Sequence, residues 1–267
     1  MRRVLAFAIA LLAAAPASAA TTVSYGSDAG GPLLADVYAP AHHGRIAVIT
    51  VHGGSWLYNS RAVLAPVAAD LARRSGFVVV NIEYPRAPAG PQLALRQRAA
   101  VEQAVRWVRG HARSLGIDPR RVGAVGSSAG GNLAGLLATG GSGSLRGGVR
   151  LGAAVTWSAQ LDLEHLHGQG ATNVARYLGC DLAACPDTWA LSSPIEHVNR
   201  GDTPMLLFGS RHDSTPPAQS TAMARALRRA GVAARAVILP GSGHGQQYAR
   251  TAMARTIAFL REHLSRG

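Results

Sequence analysis

The sequence predicts an α/β fold, with a mostly parallel sheet covered by helices on both faces. Three observations carry that expectation. Short apolar runs rich in Val, Ile and Ala recur along the chain, and segments with apolar residues at helical spacing separate them. In addition, Gly126-Ser127-Ser128-Ala129-Gly130 follows the apolar run Val122–Val125 and precedes a helix-capable segment, Asn132 to Ala138.

In chain order, Thr22–Tyr25 and Leu33–Tyr38 read as short strands around the turn Asp28-Ala29-Gly30-Gly31. Arg45 to Val51 is a buried strand entering a loop at His52-Gly53-Gly54. Asn59-Ser60 can cap the next helix, which carries Val63, Val67 and Leu71 on one face. Phe77 to Ile82 is a further strand. Pro85, Pro88 and Pro91 stiffen the loop before a helix with Val101, Ala104, Val105 and Val108 inward. Val149–Val155, Met205–Phe208 and Ala236–Leu239 complete the strands, and Met253, Ile257, Leu260 and Leu264 mark the last helix. The irregular stretch from 163 to 187 is either a small lid or a long surface loop.

Residues 1–20 read as a signal peptide. Arg2-Arg3 begin it, Val4 to Ala15 form an apolar stretch too short to span a bilayer, and Ala17-Ser18-Ala19 is a small-residue cleavage site. Cleavage near Ala19-Ala20 would leave one α/β domain, 21–267, secreted or periplasmic, with no stable membrane insertion. The formal charge of the whole chain is +13; losing Arg2 and Arg3, with no acid among residues 1–20, leaves 13 − 2 = +11. The chain has no lysine, and its arginines are scattered (Arg73-Arg74, Arg120-Arg121, Arg228-Arg229) while aromatics are sparse, which argues against nucleic acid as partner. In an oxidising compartment Cys180 and Cys185 would form a local disulfide.

A serine hydroxyl is a poor nucleophile without a positioned base, and the base needs an acid to fix its tautomer. On a parallel sheet bearing such a serine turn, the acid and then the histidine follow on loops after late strands. Asp213 follows Met205–Phe208, and His244 follows the strand ending at Leu239. Ser128, Asp213 and His244 are therefore the expected catalytic set. Asp202 lies at the wrong strand end, Glu196 precedes its strand, and His165, His167 and His197 lie in or near the irregular stretch. Backbone N–H groups of Gly53, Gly54 and Ala129 are the expected oxyanion donors. Trp56, Tyr58 and Trp157 are expected to line the substrate pocket. No metal or organic cofactor is implied.

These motifs resemble the α/β-hydrolase esterases of the hormone-sensitive-lipase type, and most closely their secreted relatives of acetyl-xylan or feruloyl esterase-like kind. The resemblance rests on His52-Gly53-Gly54, Tyr84 with Ala87-Pro88, Gly116-Ile117-Asp118-Pro119, the Ser128 pentapeptide, Ser193-Pro194-Ile195, Asp213 and Gly243-His244-Gly245. The chain departs from the pattern at Ser55, where many relatives carry a third glycine, at Ser127, where an acid is common, and at Thr215-Pro216. The resemblance implies an α/β-hydrolase fold and a serine carboxylesterase acting on small or polymer-linked short-chain esters. The alternatives are an amidase, formamidase or peptidase using the same residues, or a catalytically idle polymer-binding protein. Oligomeric state is not legible.

Overall fold

The computed structural model of the protein describes residues 20–265; the signal-peptide expectation lies outside them but for Ala20. Eight strands form one sheet in the order β1-β2-β4-β3-β5-β6-β7-β8. β1 (Thr21–Asp28) and β2 (Gly31–Tyr38) form an antiparallel hairpin, and β2 runs antiparallel to β4 (Val78–Ile82). From β4 onward the pairs are parallel: β3 (Ala47–Val51), β5 (Val122–Ser127), β6 (Ala153–Trp157), β7 (Met205–Ser210) and β8 (Ala234–Leu239). Every residue of β3, β4, β5, β6 and β7 is buried, as continuous apolar runs demand when helices cover both faces.

On one face lie α2 (Pro91–Gly110), α3 (Ala129–Gly140) and α6 (Ala218–Arg229), around a core that includes Val101, Leu133, Leu207 and Leu227. On the other, α1 (Ala65–Ser75) and α7 (Ala249–Leu264) pack Leu71, Ile257 and Leu260 against Val48, Val79 and Phe208. Ser60 accepts from the Ala62 N–H of the 3-10 turn that leads into α1.

The strand expected over Val149–Val155 begins only at Ala153. The N–H groups of Val149 and Arg150 both bond to Ser142 O, which closes a loop instead of a ladder. The Arg109 guanidinium holds that loop by donating to Pro119 O and Arg150 O. The stretch 163–187 contains α4 (Gln169–Leu178), whose Val174, Tyr177 and Leu178 are buried, and leads into α5 (Pro186–Leu191). It is a packed wall. In it the Cys180 and Cys185 sulfurs meet in bonding contact, with Cα atoms 6.2 Å apart. Among the described residues, no helix is long and apolar enough to cross a membrane.

Candidate active site

Ser128 sits where β5 turns into α3, with φ 53° and ψ −123°. A non-glycine residue in that region is strained, and tight surroundings hold it there. The flanking glycines are required by close approach: a Cβ on Gly126 would lie 2.2 Å from Gly130 O, and one on Gly130 would lie 2.2 Å from both Val51 O and His52 O. Ser128 N–H donates to Trp157 O at 2.8 Å, which anchors the turn to β6. Ala129 is the first residue of α3, so its N–H is among those a helix leaves without an internal partner.

The loop after β3 lies against this turn. A Cβ on Gly53 would be 2.9 Å from Ser128 Cβ. In a trans peptide the C=O and the following N–H point in opposite directions, so fixing a carbonyl aims the next amide. Tyr84 Oη donates to His52 O at 2.9 Å, which turns Gly53 N–H the other way. Gly53 O accepts from His52 Nδ1 at 2.8 Å and Asn59 Nδ2 at 3.3 Å, which does the same for Gly54 N–H. His52 is fully buried, stacked on Tyr84 at 4.2 Å, and its Nε2 lies 3.0 Å from Glu83 Oε1. Burial alone would raise the Glu83 carboxyl, but the His52 contact, Arg61 N–H and Arg86 bring it below its ordinary value.

Across the cleft, His244 Nδ1 lies 2.6 Å from Asp213 Oδ1. The Asp213 side chain has no exposure and that of His244 has 30 %. Because a carboxylate only accepts, Nδ1 carries the proton and Nε2 is free to act as a base. Asp213 also accepts from Thr215 N–H at 3.0 Å and from the Ser158 hydroxyl. Burial alone would raise its carboxyl; these hydrogen bonds, led by that from His244, bring it below its usual value. The histidine loop is tied to the serine turn by Ser127 Oγ, which donates to Gln246 Oε1 at 2.9 Å. A brace is thus present at Ser127 without the acid that many similar proteins carry there.

Ser128 and His244 line one cleft of about 130 Å³, together with Ser55, Gln160, Leu166, Gln169, Asn173 and Thr215. The pocket residues expected from sequence lie elsewhere. Trp157 is buried on the α7 side, with Nε1 donating to Thr256 Oγ1 at 3.3 Å. Trp56 is buried behind the loop, stacked 4.7 Å from Tyr177 and donating to Asn132 Oδ1. Tyr58 is 53 % exposed. The large apolar rings of Trp56 and Trp157 close the core instead of walling the cleft. Ser158 and Tyr248 stand in no motif that the sequence displays. Ser158 directly follows β6 at the C-terminal end of the parallel strands, the end that carries Ser128, and that position is the available signal.

The BD-FAE family profile matches residues 35–227. The chain belongs to the BD-FAE family. Esterase LipQ of Mycobacterium tuberculosis is 28% identical over 223 residues, covering 79% of this chain and 52% of the relative. The chain thus spans about half the length of that curated relative. Among solved structures, a truncated carbohydrate esterase from gut microbiota superposes with a TM-score of 0.81 at 25% identity, covering 94% of this chain and 99% of the other. Thermogutta terrifontis esterase 2 phosphonylated by sarin gives 0.77 at 25% identity over 91% and 94%; a propionate-bound form gives 0.74 at 25% over 93% and 96%. The BD-FAE chain therefore has the α/β-hydrolase fold of these esterases.

Proposed function

We propose that the protein is a secreted serine carboxylesterase that hydrolyses short-chain acyl esters through an acyl-enzyme. The observation that carries this reading is the Asp213–His244 pair, 2.6 Å apart, facing the same cleft as a serine held on a strained strand-to-helix turn. Ser128 Oγ attacks the ester carbonyl as His244 Nε2 takes its proton. The Gly53, Gly54 and Ala129 amides stabilise the tetrahedral oxyanion, each such donor contributing about 3–4 kcal/mol in the transition state. The imidazolium, stabilised by Asp213, protonates the departing alkoxide, and the alcohol leaves. Water then attacks the acyl-serine by the same route, with His244 again as base, and restores Ser128.

The small cleft supports a short acyl group, and the amides of Gln160, Gln169 and Asn173 suit a hydroxyl-bearing alcohol portion. The solved relative with propionate bound agrees with the first point. Hydrolysis of p-nitrophenyl esters should peak at acetate to butyrate, and Ser128→Ala should lower kcat on the order of 10³-fold or more. A decanoate optimum would refute the short-chain assignment, and an equally active variant would refute the serine. Secretion is consistent with the apolar, arginine-led start of the chain and with the adjacent cysteines. A disulfide there would close a short loop and stabilise the fold by about 2 kcal/mol. Denatured, unreduced protein should then take up no alkylating reagent at Cys180 or Cys185; two labelled thiols would remove that support.

A further inference from the structure

We propose that Ser158 is a positioning residue, whose single hydroxyl sets Asp213 and the His244 loop as one unit. The proposal rests on the Ser128–His244–Asp213 reading. Ser158 is the first residue after β6, buried, with φ 52°, a left-handed conformation that side chains other than glycine rarely adopt. The surroundings of its oxygen account for a serine being held there. Its Oγ meets Asp213 Oδ2, Gly245 N at 2.9 Å and Tyr248 Oη at 2.8 Å.

The protons in this cluster can be assigned. A peptide N–H can only donate and an ionised carboxylate can only accept, so the Ser158 proton goes to Asp213 while Oγ accepts from Gly245. The remaining lone pair faces the Tyr248 hydroxyl, whose one proton is shared between Ser158 Oγ at 2.8 Å and Phe208 O at 3.2 Å. One oxygen therefore holds the acid and the residue that follows the catalytic histidine. Asp213 is left with Oδ1 for His244 and the Thr215 N–H, and Oδ2 for Ser158. Ser158 thus fixes the carboxylate plane against the imidazole. By drawing charge toward Oδ2, it also tempers how strongly Asp213 stabilises the imidazolium.

Ser158→Gly is the informative variant, because glycine adopts φ 52° without strain and the chain can keep its path. With p-nitrophenyl acetate, kcat should fall on the order of 10- to 100-fold, as expected for losing a hydrogen bond to a charged group, while KM stays within about threefold. The acid limb of kcat/KM should move to higher pH, since the untempered carboxylate favours the imidazolium. Tyr248→Phe should shift both in the same direction by less, and adding it to Ser158→Gly should cost little more. The downfield proton resonance of His244 Nδ1–H, which needs no turnover, should shift or broaden in Ser158→Gly. Unchanged kcat and acid limb would overturn the proposal, and so would a lower kcat with the limb and the resonance unmoved. A wild type that hydrolyses no ester would sink the esterase reading, while the resonance would still decide the role of Ser158.

Discussion

The loop 52–56 and the pair of loops bearing Asp213 and His244 face the same cleft but are held by different kinds of contact. In the first, backbone carbonyls are pinned by side chains: the buried Tyr84 on His52 O, and the buried His52 with the exposed Asn59 on Gly53 O. Behind it, Gln97 Nε2 donates to Trp56 O at 2.8 Å and Pro85 O at 2.7 Å, and Trp56 reaches Asn132 on α3. Its product is the direction of amides whose dipoles do not titrate. In the second, side chains are pinned by hydroxyls and amides around an ionised carboxylate, and its product is a protonation state. In the first arrangement charge enters only behind the loop, where Glu83 meets His52, and the amides depend on backbone space; in the second the carboxylate itself touches the base, so the two should fail differently.

The largest expected effect is steric. A Cβ on Gly54 would lie 2.1 Å from Tyr58 O, at φ 132°, so Gly54→Ala must displace the loop. Loss of its donor geometry should lower kcat on the order of 10²- to 10³-fold, with the acid limb of kcat/KM where it was. A variant of wild-type activity would mean that this amide is not a donor.

A smaller effect sharpens the contrast. Tyr84→Phe removes the hydroxyl that holds His52 O and leaves that carbonyl unpaired in the interior, so kcat should fall about 3- to 10-fold. Because Tyr84 binds the His52 carbonyl and not Asp213 or His244, the pH profile should keep its shape. Ser158→Gly should instead displace it. If Tyr84→Phe moved the acid limb as far as Ser158→Gly, the two sides would be one electrostatic unit and the distinction would collapse.

Most of the fold was legible because continuous apolar runs and helical periodicity report burial on two faces, and the strands at 45–51, 77–82, 122–125 and 205–208 lie where those runs predict. Val149–Val155 misled because its apolar residues are indeed buried, yet the backbone bonds to Ser142 O. Burial is written in the side chains, whereas the partner of a backbone amide is not. The same reason separates Ser128, Asp213 and His244 from the aromatics. The first three stand in local contexts that sequence displays: a glycine-bounded turn and the loops after two late strands. Trp56 and Trp157 give no local sign of whether their rings face the cleft or the core.

The sequence by itself determined most of the strands and helices, the glycine-bounded serine turn and the chain order of Ser128, Asp213 and His244, because each is displayed by residues close together in the chain. Only the tertiary structure decided that Ser158, 55 residues before Asp213 and 90 before Tyr248, lies between them, and that Gln160, Gln169 and Asn173 line the cleft while the tryptophans do not. Such placements depend on how distant strands end side by side, and a hydroxyl carries no mark in the sequence of the partners that the sheet will bring to it.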